Sequence, residues 1–272
     1  MNEEIVRPFL RWAGGKRWLV PTIEKIVSGH HFNNYFEPFI GGGSIFFSLP
    51  LEGQSTLSDL NAELMNAYIQ VRDYPEEIVE QLESYKNDRD FYYYMREKTL
   101  SDPLLLASRF IYLNMTSFNG IYRVNLSGRY NVPFGRKDSY NVDKDNFIKV
   151  SKKLRDTTLK SGDFELLATS IKQNDLVILD PPYTVSHNNN GFIEYNQKIF
   201  SLEDQQRLKD FVDLISAKGA YYILTNAAHE VIIDLFTTDN QVTKTVSRRS
   251  LVGGKNAKRG KTEELLFTNI LD

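Results

Sequence analysis

The 272-residue chain predicts a doubly wound α/β fold, and three observations carry that prediction. Short apolar runs alternate with amphipathic stretches along most of the sequence, the pattern of a sheet flanked by helices. One run, Asp175 to Asp180 (DLVILD), is nearly continuous in aliphatic residues, as expected of a strand buried on both faces of a parallel sheet. The third is a glycine turn, Ile40-Gly41-Gly42-Gly43, set directly after an apolar run.

The elements follow in order. The first strand is expected over Tyr35 to Phe39, and SIFFSL after the glycine turn could open a helix. STLSDL forms a second strand ending at Asp59, and Asn61 caps the amphipathic stretch AELMNAYIQVRD. Pro75 starts PEEIVEQLESYK at a first-turn position, where its missing N-H is harmless. Residues 88 to 114 read as two helices, the second apolar. TSFNGIYRVNLSGRYNVPFGRK lacks helical period and carries Asn-Gly and Ser-Gly turns, which predicts an irregular hairpin on an inserted lobe. TTLKSGDFELL resumes the alternation ahead of DLVILD. A polar loop leads to a Ser201-capped helix whose Glu203 and Asp204 face the positive end of its dipole. Strand AYYILTN, helix HEVIIDLF and a hairpin of TKTVSRR with ELLFTNI complete the chain. The glycine turn, Asp59 and Asp180 all fall just beyond strand carboxyl ends, the edge where such sheets bind ligands.

Composition narrows the function. With 41% hydrophobic and 25% charged residues, a disordered or low-complexity chain is excluded. The length lies between one and two ordinary domains, so one large domain with a smaller insertion is expected. No apolar run reaches the roughly 18 residues a membrane span requires, and the first residues form no signal peptide, so no membrane partner and a cytoplasmic location are expected. Zero cysteines exclude disulfides, thiolate nucleophiles and Cys-ligated metal clusters. His30, His31, His187 and His229 show no metal-ligand spacing, so no metal is expected and His30-His31 reads as a solvated turn.

The net charge of -2 hides a strong polarity. Residues 103 to 137 carry Arg109, Arg123, Arg129, Arg136 and Lys137, and residues 244 to 261 carry Lys244, Arg248, Arg249, Lys255, Lys258, Arg259 and Lys261. Neither stretch holds an Asp or Glu, and removing these 12 cations from the chain's 33 leaves 21 against 35 acids, a balance of -14. An acidic body with two basic segments suits a protein that lays one face on a phosphate backbone. On charge alone, two solvated loops explain the segments equally well.

Two motifs carry chemistry. FEPFIGGGS lets backbone approach a ligand closely, and Asp59, 18 positions beyond Gly41, is placed to accept ribose hydroxyls. Phe46 stands where the dinucleotide fingerprint needs its third glycine, which counts against a nicotinamide enzyme. Such a turn alone is as often a tight connection as a binding site. DPPY at 180 to 183 is sharper. Its two prolines fix φ and remove two donors, leaving carbonyl acceptors, the Asp180 carboxylate and the flat face of Tyr183. That set suits a planar group bearing an NH₂, such as the exocyclic amine of a base. Hydrogen bonds from the amine to Asp180 and to the Pro181 carbonyl favour the pyramidal form, whose lone pair can attack a methyl group, while Tyr183 stacks on the base.

FLRWAGGK at 9 to 16, FEPFIGGGS at 36 to 44, SDLN at 58 to 61, FNGIYRVN at 118 to 125, NVPFGR at 131 to 136, GDFE at 162 to 165 and DPPY resemble the Dam-type DNA adenine methyltransferases of bacteria and phages. The order, glycine turn then insert then DPPY, is that family's class-alpha arrangement, and the nearest resemblance is to the DpnII-type GATC modification enzymes. The likeness runs from Phe9 to about Asn269.

The resemblance implies a Rossmann-like catalytic domain at 1-60 and 150-272, with a mostly helical target-recognition lobe at 61-149 whose hairpin spans about 116-137. It implies S-adenosylmethionine held by Trp12, Lys16, Gly41, Gly43, Asp59, Phe164 and Asp180, with Asp180, Pro181 and Tyr183 catalytic. Phe118 and Asn119 would wedge into duplex DNA when adenine is flipped out; Ile121, Arg123 and Pro133 would read base edges and Arg136 a phosphate. Arg11 stands where the better known members carry Lys, which changes the outer base contact. The second basic stretch, with Gly253, Gly254 and Gly260 but no aromatics, suits phosphates better than bases. The implied activity is site-specific methylation of adenine N6 in duplex DNA, within GATC, by a monomer. Two other readings stay open: a decayed DNA-binding protein without turnover, and a methyltransferase acting on RNA or a protein glutamine. The basic insert favours duplex DNA.

Overall fold

The computed structural model describes residues 6–125, 127–136, 140–183, 200–237, 242–249 and 261–271. The polar loop after Tyr183, with His187, the tip of the last hairpin and Lys137 lie outside the described residues. Strands at Asn34–Glu37 (β1), Gln54–Asp59 (β2), Thr158–Ser161 (β3), Leu176–Leu179 (β4), Tyr221–Ala227 (β5), Val242–Arg249 (β6) and Lys261–Thr268 (β7) follow the order β3-β2-β1-β4-β5-β7-β6. β2 with β3, β1 with β4 and β4 with β5 pair parallel; β5 with β7 and β7 with β6 pair antiparallel. This is the doubly wound α/β architecture that the sequence predicts, with an antiparallel hairpin at one edge.

The chain divides into two compact units. The first comprises Met1–Val20, Ile40–Leu51 and Thr56–Asp163. Its helices are Ala62–Asp73 (α2), Pro75–Glu83 (α3), Arg89–Glu97 (α4), Pro103–Thr116 (α5) and Lys144–Leu154 (α6). Asn61 caps α2 by accepting from the Leu64 amide, and Asp102 does the same for α5 from Leu105, with Pro103 in the first turn. Apolar side chains at three- and four-residue spacing, Leu64, Ala67, Tyr68 and Val71 on α2 and Ile78, Val79 and Leu82 on α3, are fully buried against α5 and α6. Each fully buried aliphatic or aromatic side chain contributes about 1.5–3 kcal/mol. Buried tyrosines keep partners: the Tyr92 hydroxyl donates to the Val132 carbonyl at 2.8 Å and that of Tyr112 to Lys86 at 2.8 Å.

The second unit comprises Pro21–Phe39, Glu52–Ser55 and Phe164–Asp272. It holds most of α1 (Val20–Val27), five strands, α7 (Leu202–Ala217) and α8 (Glu230–Phe236). β4 is buried at all four positions, as its aliphatic run requires. Its core joins Val177, Leu179, Leu208, Phe211, Ile215, Leu224, Phe236 and Phe267. Ser201 and Asp204 form a reciprocal capping box at the start of α7. β1 and β4 run parallel with Tyr35 opposite Leu176, so Glu37 and Leu179 open on the same sheet edge.

Three local expectations change. β1 ends at Glu37, because Pro38 cannot donate to the ladder. SIFFSL folds as successive turns rather than a helix: Phe47 bonds back to Gly43 and Leu49 to Ile45, but Pro50 ends any continuation. α1 and α6 arise where the sequence reading assigns nothing, although the Asp143 cap followed by Phe147, Val150 and Leu154 marks α6.

Candidate functional site

In the first unit the glycine turn is fixed from several sides. Gly41 and Gly43 adopt φ of +48° and +70°. The Gly41 amide donates to Asp59 Oδ2 at 3.1 Å, the Tyr68 hydroxyl donates to the Gly41 carbonyl at 3.0 Å, and the Asn61 amide donates to Asp59 Oδ1 at 3.0 Å. A Cβ on Gly41 would lie 2.7 Å from Trp12 Cδ1, and one on Gly43 would lie 2.7 Å from the Tyr68 hydroxyl. Trp12, Gly41 and Asp59 therefore meet. Lys16 is 4% exposed, and its amine donates to the Gly14 carbonyl at 3.2 Å. Each Asp59 oxygen accepts one backbone N-H, which leaves lone pairs for hydroxyl groups.

Burial pushes the Asp59 carboxyl above the ordinary aspartate range, against the pull of the Asn61 and Gly41 amides. A proton held more tightly in the folded than the unfolded state stabilises most below the unfolded value, and that contribution is lost as pH rises through the folded one. Asp59→Asn removes this dependence. The variant's denaturant midpoint should therefore gain on wild type as pH rises from about 4 toward neutrality; a constant or opposite difference contradicts the assignment.

In the second unit, β4 delivers DPPY to its carboxyl end. Asp180 is half-buried, Pro181 buried, Pro182 exposed and Tyr183 half-buried. The Thr225 hydroxyl donates to Asp180 Oδ1 at 2.6 Å, and the Tyr183 hydroxyl donates to Glu264 Oε2 at 2.7 Å. Burial first, then the negative charges of Asp180 and Glu264, raise the Tyr183 hydroxyl well above its ordinary value, so it stays a protonated donor. Phe164 is 3% exposed, with Phe39 at 5.4 Å, Phe211 at 5.5 Å and the Arg207 guanidinium 5.0 Å over its ring.

The segment after α5 forms the irregular hairpin that its turns predict. Isolated antiparallel bridges join Ser117 to Phe134 and Val124 to Tyr130, and the Phe118 amide donates to the Pro133 carbonyl at 2.9 Å. Phe118 is 53% exposed at the start of a 3₁₀ turn, and Asn119 beside it sits at φ +57°. Arg123, Pro133 and Arg136 are exposed and Ile121 half-buried. Arg123 Nε donates to Asn131 Oδ1 at 2.8 Å. Arg11 joins this group: buried Asn114 accepts from the Arg11 amide at 2.9 Å and donates to the carbonyls of Arg11 and Gly120 at 2.8 and 3.2 Å.

Arg109 departs from its basic neighbours, since it donates to the Lys98 carbonyl and to Glu63 at 3.2 Å from a largely buried position. Its charge serves packing within the first unit. Sequence reasoning missed Asn114, Thr225 and Glu264. Glu264 opens the apolar run ELLFTNI directly after Glu263, and nothing local marks it or the other two.

Among the described residues no three His, Cys, Asp or Glu side chains could hold a metal ion, and no helix is long and apolar enough to cross a membrane. Residues 12–251 match the family described as D12 class N6 adenine-specific DNA methyltransferase. The type II methyltransferase M1.LlaDCHI of Lactococcus lactis subsp. cremoris is 35% identical, over 98% of this chain and 97% of its own. The type II methyltransferase M.MjaIII of Methanocaldococcus jannaschii is 31% identical over 97% and 99%, and the DNA adenine methylase of Serratia marcescens is 29% identical over 96% and 97%. With its turn, its acceptor corner and a family match over most of its length, the chain belongs to the D12 class of N6 adenine-specific DNA methyltransferases.

Proposed function

We propose that this chain takes a methyl group from S-adenosylmethionine and places it on the N6 amine of an adenine flipped out of duplex GATC. The observation that carries the reading is the corner at Asp180. A half-buried carboxylate is held by Thr225 at the end of a fully buried strand and is followed by two prolines that offer no N-H. Asp180 and the Pro181 carbonyl accept hydrogen bonds from the two amine N-H groups and so draw the nitrogen toward a pyramidal form with a free lone pair; one N-H is kept in the product and the other proton leaves by way of the Asp180 carboxylate. The Asp180 charge offsets the positive charge that grows on nitrogen, and Tyr183 holds the base in line. S-adenosylmethionine supplies the electrophilic methyl. The donor set at the glycine turn fits it: Asp59 keeps lone pairs for ribose hydroxyls, Gly41 and Gly43 bring backbone close, and Trp12 and Lys16 complete that side, with Phe164 on the adenine side.

On this reading residues 61–149 form the target-recognition lobe. Exposed Phe118 and Asn119 fill the gap left by the flipped adenine, Arg11, Ile121, Arg123 and Pro133 face base edges, and Arg136 a phosphate. Expression in a methylation-free host, followed by sequencing that detects N6-methyladenine, tests the reading. Methyl groups confined to GATC support it; methyl groups at another sequence, or none, contradict it. Arg123→Ala should weaken discrimination against single-base variants of the site by about 1–3 kcal/mol, read as ratios of kcat/KM. Unaltered ratios remove Arg123 from base recognition.

A further inference from the structure

We infer that Thr225 and Glu264 are positioning residues for methyl transfer, each holding one side chain of the DPPY corner; this rests on the function proposed above. Thr225 lies on β5 and Glu264 on β7, 1% and 0% exposed. In the antiparallel register Thr225 pairs with Leu266 and Ala227 with Glu264, so Thr225 and Glu264 are diagonal neighbours on one face of the sheet. From that face Thr225 donates to Asp180 Oδ1 and Glu264 accepts from Tyr183, whose hydroxyl also lies against Thr225. Two strands remote from DPPY in sequence therefore fix its two reacting-side groups.

The chemical consequences differ. Asp180 must present one oxygen to the amine in a set direction, and a carboxylate rotates about its last bond unless something holds it. Thr225 occupies Oδ1 and so sets the direction in which the carboxylate faces the amine. Tyr183 must present a ring face, and its hydroxyl is the only polar handle by which the protein can set the ring's tilt. A carboxylate as acceptor gives the stronger, charge-assisted bond and places negative charge behind a ring that faces developing positive charge. A buried acid with no such task is a poor choice in an apolar strand, where an aliphatic residue stabilises more.

The test uses the full-length enzyme in single-turnover methylation of a GATC duplex, with calorimetric binding of S-adenosylmethionine and thermal unfolding alongside. Thr225→Val, which keeps shape and removes the donor, should slow transfer by about 10- to 100-fold, whereas Thr225→Ser restores it to within about threefold. Glu264→Gln should also slow transfer, and the Tyr183→Phe/Glu264→Gln pair should be no slower than Tyr183→Phe alone, because Glu264 acts through that hydroxyl. Cofactor affinity and unfolding temperature should stay near wild type. With 2-aminopurine in place of the target adenine, emission from the complex should rise in Glu264→Gln and stay at the wild-type level in Thr225→Ser. Wild-type rates in Thr225→Val and Glu264→Gln, a serine variant as slow as the valine one, additive losses in the double variant, or unchanged emission overturn the inference. A wild-type protein that methylates no adenine overturns the underlying function instead.

Discussion

Asp180→Ala is expected to lower the rate of methyl transfer by about a thousandfold or more while leaving DNA binding intact. The amine of adenine is conjugated with its ring, and in the proposed mechanism Asp180 both accepts a hydrogen bond from one of its N-H groups and carries charge opposite to that which develops. Losing a single preorganised partner of developing charge costs about 2.7–4 kcal/mol in other active sites. Here the same substitution also removes an orienting acceptor, so the loss should fall at or above that range. The fold should survive. Asp180 stands just outside β4, so no ladder bond depends on its side chain, although Thr225 loses its acceptor. Asp180→Asn separates the two roles, since it keeps an acceptor oxygen and drops the charge. If the alanine variant retains even a tenth of wild-type turnover, Asp180 is not central to the chemistry.

Gly41→Ala should destabilise the first unit by about 2–5 kcal/mol and weaken S-adenosylmethionine binding by more than about 100-fold. Two costs combine: about 1–2 kcal/mol for a Cβ in the left-handed region, and about 1–3 kcal/mol for overpacking. The added carbon would meet Trp12 Cδ1 at 2.7 Å and Nε1 at 3.0 Å. The indole has little room to yield, because it stacks on Tyr122 at 5.3 Å and packs near Phe110 at 6.3 Å. The backbone is equally fixed, by Asp59 on the Gly41 amide and Tyr68 on its carbonyl. Gly14→Ala is the control: φ is +84°, but no atom lies within 4 Å of the added Cβ, so only the conformational cost applies. Equal stability and equal cofactor affinity in the two variants would show that the packing of Trp12 on the turn is irrelevant.

Local signals in the sequence were enough for much of this architecture. The caps Asn61 and Ser201, the first-turn Pro75 and the aliphatic run before DPPY each act within a few residues, and each forms the element it predicts. The hairpin around Phe118 and Asn119 was legible from its turns for the same reason. What stayed hidden depends on pairing between distant segments. The partners Thr225 and Glu264 stand 45 and 81 residues from the side chains they hold, and only the β5–β7 register brings them to one face. Arg109 misled the charge count because Glu63 and the Lys98 carbonyl, contributed by other elements, turn it inward. SIFFSL misled by composition: Ile45, Phe46, Phe47 and Leu49 are all buried, so its apolar character reflects burial on every side rather than a helical face.

The central claim is that the adenine amine donates a hydrogen bond through each of its N-H groups to acceptors at the Asp180 corner. A crystal structure of the enzyme with duplex GATC and a non-reactive S-adenosylmethionine analogue measures this directly. The target nitrogen should stand within about 3 Å of both a carboxylate oxygen of Asp180 and the Pro181 carbonyl. An extruded adenine whose amine bonds elsewhere, or one still stacked in the helix at full occupancy of the analogue, would contradict the account.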